Sequence, residues 1–169
     1  MDKTHRALRS AFTKLVGERR YDEIKVTDIL ASANVGKSTF YEHFRSKDDL
    51  LRSMMGPMLR TLARSAGDDY DAGRLRGLLA HFWSNRRLGR AVFGVPLVMP
   101  LRRMLTAMIE EELAGKKACG SGTARRLNAL QVAAGHLDLL HAWLSGEVSA
   151  DIDEIVTALR AMARPAAPT

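Results

Sequence analysis

Cysteine is nearly missing from this chain: Cys119 is the only one in 169 residues. One thiol cannot build an internal disulfide framework, and the count suits a reducing compartment. Long apolar runs are missing too. No stretch approaches the roughly 20 residues that a membrane-spanning helix needs, and the N-terminus lacks the hydrophobic segment of a signal peptide. A cytoplasmic protein with no membrane partner is the expectation. Metal-ligand spacing is also lacking. His136 and His141 stand roughly 140° apart around a helix, and Asp138 with His141 makes two ligands rather than a site. No metal and no cofactor are expected.

Catalytic constellations are equally scarce. Cys119 lies in a Gly-rich loop with no assigned base, and Glu110, Glu111 and Glu112 read as a solvated helix face. Gly120-Ser121-Gly122 has no strand before it to form a nucleophile elbow. The run Ala31 to Ser38, ASANVGKS, is one residue away from a phosphate-binding loop, but Ala31 replaces the first Gly and helical spacing precedes it. The chain therefore reads as a non-enzyme, with a nucleotide-binding domain as a minor alternative.

Apolar residues make up 46% and charged residues 27%, as in ordinary globular proteins. The net charge of +7 suggests an anionic partner without locating it. Residues 1–50 hold 10 basic and 8 acidic residues and contribute only +2.

Helical spacing recurs along the chain, and the expected fold class is all-α. An amphipathic helix over about 4–19 turns Leu8, Ala11, Phe12, Leu15 and Val16 to one side. A helix from Lys47 buries Leu50, Leu51, Met54, Met58 and Leu62, and a kink is expected at Gly56-Pro57 because proline removes a backbone donor. Residues 66–72 read as a loop and 72–85 as a helix. Residues 86–99 are harder to read, with a short helix near 89–93. Pro100 is expected to open another helix, and 116–122 to form a basic, Gly-rich loop. Helices over 123–145 and 151–164 follow, with a disordered tail at 165–169.

The most informative stretch is Val26 to Leu51. Ile29, Leu30 and Ala33 have helical spacing, and Asn34 breaks it with a residue that tolerates left-handed backbone. In the next segment Phe40 and Phe44 share one face, while Ser38, Thr39, Glu42 and Arg45 lie opposite, flanked by Tyr41 and His43. So short a helix cannot persist alone in water, so the two rings must anchor it and hold its other face outward. That arrangement is a helix-turn-helix with its recognition helix. Ser46-Lys47-Asp48-Asp49 then forms a capping box.

Ala33, Asn34, Val35, Gly36, Lys37, Ser38, Thr39, Phe40, Tyr41, Glu42, His43, Phe44, Lys47, Asp48 and Leu50 resemble the TetR/AcrR family of bacterial transcriptional regulators. That family reads roughly A-G-V-S-x-G-T-[LF]-Y-x-[HY]-F-x-x-K-[ED]-x-L. Asn34 stands in place of a Gly and Gly36 in place of a Ser. Lys25 replaces a capping Ser or Thr, leaving Asp28 to cap from its own side. On this reading residues 1–48 form a helix-turn-helix domain and 49–169 a helical ligand-binding and dimerisation domain. Ser38, Thr39, Tyr41, Glu42 and His43 would set DNA contacts together with Thr27, and Lys25, Lys37 and Lys47 would meet phosphates.

The helix over 123–145 carries two apolar stripes, and a helix apolar on two sides must be covered on both. One stripe is Leu127, Leu130, Ala134, Leu137, His141 and Leu144. With Ile152, Ile155 and Leu159 of the last helix it is the expected homodimer interface. The resemblance further implies a small-molecule pocket among the middle helices, for which Met54, Met58, Phe82, Trp83, Phe93, Met99, Met104, Met108 and Trp143 are candidates. The implied function is a repressor, dimeric on a palindromic double-stranded operator and released by an effector. The alternative is a dimeric helical ligand-binding protein without DNA function.

Overall fold

The computed structural model describes residues 3–67, 70–94, 97–114 and 121–163. All secondary structure among them is helical. Cys119, most of the expected basic loop and the expected disordered tail lie outside the described residues.

The first three helices are α1 (Lys3–Glu18), α2 (Val26–Ala33) and α3 (Lys37–His43), with a 3₁₀ turn at Tyr21–Glu23 between α1 and α2. The rest comprises α4 (Lys47–Ser65), α5 (Ala72–Ser84), α6 (Arg86–Phe93), α7 (Val98–Leu113), α8 (Gly122–Ser145) and α9 (Ile152–Met162). In the body α4 packs on α5 and α7, α8 on α6, α7 and α9, and α9 also on α5. One apolar core runs from Leu8 to Ala163, crossing residue 48 through Leu50 and Leu51.

Local chemistry sets the helix ends. Asp71, Ser121 and Asp151 each accept a backbone N–H of their own helix's first turn, satisfying donors that have no intrahelical partner. At the far end of α8, Gly146 takes φ 87°, which favours glycine, and Glu147 N–H reaches back to Ala142 at 2.9 Å. The C-terminus of α4 is closed from a distance. Arg160 of α9 donates to the carbonyls of Ser65 and Gly67, both at 2.9 Å, and lies over the Tyr70 ring. A cation at a helix C-terminus also meets the negative end of the helix dipole.

The helix α4 runs through Gly56-Pro57, where the kink is expected, to Ser65. Two helix starts differ from expectation. The short helix expected near 89–93 begins at Arg86, and Gly89 is what lets it sit against α8. A Cβ there would lie 2.7 Å from Leu144 Cδ1. The helix expected to open at Pro100 starts at Val98, which puts the proline in the first turn, where a missing N–H costs nothing.

The proposed dimer stripe is also redrawn. Leu137, Leu144, Ile155 and Leu159 are buried inside this chain, whereas Leu127 and Leu130 are exposed and Ala134, His141 and Ile152 half-buried. The reason is geometric. A stripe repeating every seven residues drifts about 20° per heptad on a straight helix, so its later members turn into the core. The inward face of α8 is Ala129, Val132, Ala133, His136, Leu137, Leu140, Trp143 and Leu144. Trp143 donates from Nε1 to Ala150 O at 2.9 Å and stacks on Trp83 of α5, with ring centroids 4.9 Å apart.

His136 is fully buried between α8 and α9. Its Nε2 donates to Leu159 O at 2.9 Å, one of the last carbonyls of α9, and Nδ1 has no partner among the described residues. Burial, against the pull of that hydrogen bond, lowers its pKa to about 4. The unfolded chain binds this proton near pH 6.5 and the folded chain does not. Stability is therefore full above pH 6.5 and falls as pH drops toward 4, by about 3 kcal/mol in all from this group. Denaturant unfolding at pH 7, 6, 5 and 4 should show this slope in the wild type, and a His136→Gln variant should lack it.

Candidate nucleic-acid interface

The turn before α3 depends on one backbone conformation. Asn34 adopts φ 51°, ψ 48°, the left-handed region that few side chains other than Asn enter readily. Val35 N–H then reaches Leu30 O at 3.1 Å, closing α2 with a Schellman-type bond. At the other end of α2, Asp28 accepts from Lys25 N–H at 2.8 Å, while the Lys25 side chain accepts nothing. Half of a capping box suffices there, as Lys25 predicts.

Two rings anchor α3 from beneath: Phe40 is fully buried, Phe44 nearly so, and their centroids lie 5.7 Å apart. Its other side faces outward. Lys37, Ser38, Tyr41, Glu42 and His43 are exposed, and Thr39 is half-buried. Tyr41 keeps 49% of its surface in solvent, unusual for a ring with a core next to it. Lys25 and Thr27, at the start of α2, are exposed too. His43 is less free than its spacing suggests, since His5 of α1 meets it edge to face at 4.6 Å.

Lys47 has a task that spacing alone did not reveal. Its ammonium donates to Tyr21 O at 2.7 Å and Ile24 O at 2.9 Å, approaches Asp22 O at 3.5 Å, and lies 4.4 Å from the Tyr21 ring centroid. With its donors turned inward it holds the 3₁₀ turn to α4 instead of reaching out as expected. The Tyr21 hydroxyl donates to the Asp48 carboxylate; burial first, then this carboxylate, push its pKa up, so it remains a donor. Ser46 accepts from Asp49 N–H at 3.1 Å, and Asp49 returns the bond to Arg45 N–H at 3.0 Å, one residue before the expected partner.

The candidate pocket residues do not converge. Met54, Met58 and Phe82 line a cavity of about 390 Å³. Phe93 packs under Phe82 and does not reach it, Trp83 and Trp143 stack on each other elsewhere, and Met99 is exposed. Met104 borders a separate polar cleft with Tyr21, Asp48 and Arg103, and Met108 packs against the core. The cavity's remaining wall includes Arg9, Phe12, Thr13, Val16 and Gly17 of α1, and also His81 of α5. Spacing within α1 marks Phe12 and Val16 as core but cannot show that α4 and α5 stand away from them.

Residues 8–54 match the family profile described as bacterial regulatory proteins, tetR family. An uncharacterized HTH-type transcriptional regulator of Haemophilus influenzae is 36% identical over 76 residues, 43% of this chain and 37% of that protein. The uncharacterized HTH-type regulator YxbF of Bacillus subtilis is 35% identical over 54 residues, 31% of this chain and 14% of that protein. The chain thus spans well under half the length of these curated relatives. A TetR transcriptional regulator from Streptococcus agalactiae has the same fold, with a TM-score of 0.53 at 21% identity, covering 96% of this chain and 94% of that one. Residues 8–54, with their left-handed Asn34 turn and outward-facing α3, are thus similar to the N-terminal segment of the tetR family of bacterial regulatory proteins.

Proposed function

We propose that this chain is a DNA-binding transcriptional repressor, acting as a homodimer on a palindromic operator and released by a small molecule. The observation that carries the reading is α3: a short helix pinned by Phe40 and Phe44 that presents Ser38, Tyr41 and Glu42 outward. A recognition helix needs this rigidity, because base edges are read by a few side chains held in register in the major groove. Lys37, exposed at the first turn of α3, and Lys25, exposed before α2, would meet phosphates. Lys47 contributes by holding the turn that positions α2. The helix-turn-helix head is residues 1–48, and 49–169 form the body.

A second copy accounts for the apolar side of α8 left bare in one chain. Leu127 is 57% exposed and Leu130 36%, with Ala134 and His141 on the same side and Met162 of α9 at its border. Joined about a two-fold axis, that face would cover itself. The same symmetry would place two α3 helices on successive major-groove faces.

Selection of random duplex DNA by the purified chain, followed by sequencing, should yield an inverted repeat. Binding should weaken steeply between roughly 50 and 200 mM salt. Tyr41→Ala or Glu42→Ala should each cost about 1–3 kcal/mol and relax one base position, and Lys37→Ala should weaken all sequences alike. A chain that dimerises but enriches no sequence would favour a ligand-binding protein without DNA function.

Ala134→Arg and Leu137→Arg separate the two sides of α8. Arginine at 134 should leave the protomer folded and shift sedimentation to a monomer. At 137 it would bury an unpaired charge in the protomer's own core and unfold it. A monomeric wild type at micromolar concentration would end the dimer proposal.

A further inference from the structure

The cavity between α1 and the wall formed by α4, α5 and α6 is a seam between head and body, and its chemistry is uneven. We infer that it seats a small amphipathic organic anion, an apolar body bearing one carboxylate or sulfonate, in contact with α1 itself. At about 390 Å³ it falls in the range of small-ligand sites. Met54, Met55 and Met58 line it from one stretch of α4, all three part-exposed. Unbranched thioether side chains adapt to apolar ligands of varied outline. Phe12 and Val16 oppose them from the head.

The charge of the ligand follows from the wall. Arg9 and His81 are the ionisable groups among the described lining residues, and no carboxylate is present there. Arg9 makes no ion pair among the described residues. An uncompensated guanidinium at the edge of an apolar space favours a carboxylate, which it can hold through two parallel hydrogen bonds. It repels a cation and gains little from a hydrocarbon.

Gly17, in the last turn of α1, is exposed and borders the cavity. A Cβ added there would meet nothing within 4 Å, so a larger side chain at 17 can be accommodated and would enter the space. An occupant would press on Phe12, whose ring meets Tyr21 edge-on at 6.2 Å, and through it on the turn held by Lys47.

The consequence for DNA rests on the regulator reading, but the seat does not, and the test separates them. Calorimetry on the full chain would compare octanoate, octanol and octylammonium. Octanoate should bind once per chain, at least about tenfold more tightly than octanol, with octylammonium weakest. Arg9→Gln should reduce octanoate to the affinity of octanol. Gly17→Leu should lower octanoate affinity more than about tenfold by filling the space, while thermal stability holds or rises because leucine is the better helix former. Equal binding of octanoate and octanol, or octanoate binding untouched by Gly17→Leu, would overturn the inference. DNA affinity for the selected sequence is measured on the same samples. DNA binding without octanoate binding removes the seat and leaves the regulator, and octanoate binding without DNA binding does the reverse.

Discussion

The ammonium of Lys47 lies beneath the carbonyls of Tyr21 and Ile24, with the Tyr21 ring alongside and the Tyr21 hydroxyl bonded to Asp48. These contacts join the start of α4 to the link between α1 and α2, residues more than 20 positions apart. Carbonyls in a 3₁₀ turn lack the ladder of a full helix, and half-buried ones are costly to leave unpaired. A single flexible cation satisfies them together, and aromatic contact adds to its hold. The placement of α2, and so of the turn at Asn34 and the outward side of α3, follows from where this knot sits.

From the knot α4 runs without a break into the body, so head and body share a helix as well as a core. Its far end is closed by Arg160, which reaches from α9 to the carbonyls of Ser65 and Gly67. The same helix is thus tied at its start to the link between α1 and α2 and at its end to α9. Between those ties lies Pro57, where the ladder lacks one donor, and on its flank lies the cavity bordered by α1. Phe12, on the α1 side of that cavity, meets the Tyr21 ring edge-on at 6.2 Å.

Much of the head was legible because its signals are local. Phe40 and Phe44 four residues apart, a residue tolerant of left-handed backbone at 34, and Ser46 before an acidic turn each act over one turn of helix. The body was read less well because its decisive contacts are distant in sequence. Leu137 and Leu144 continue the spacing of Leu127 and Leu130, and only the accumulated drift of the helix sends them inward. Lys47 matches a family position, yet its partners lie 23 to 26 residues upstream, beyond any periodicity. Methionines and aromatics looked like a pocket by type. Three of the nine border the cavity, because lining depends on which helices stand apart and not on side-chain chemistry.

The stacked indoles of Trp83 and Trp143 have a practical consequence. They are the chain's only tryptophans, and they form one pair: one ring is 41% exposed beside Arg86, the other enclosed and bonded to Ala150 O. Both belong to the body, on α5 and α8, and neither lines the cavity nor lies on α3. Intrinsic emission from this protein is therefore a single-site optical gauge of how α5 sits on α8. It is blind to α1, α2 and α3 unless motion there is carried to α5 or α8.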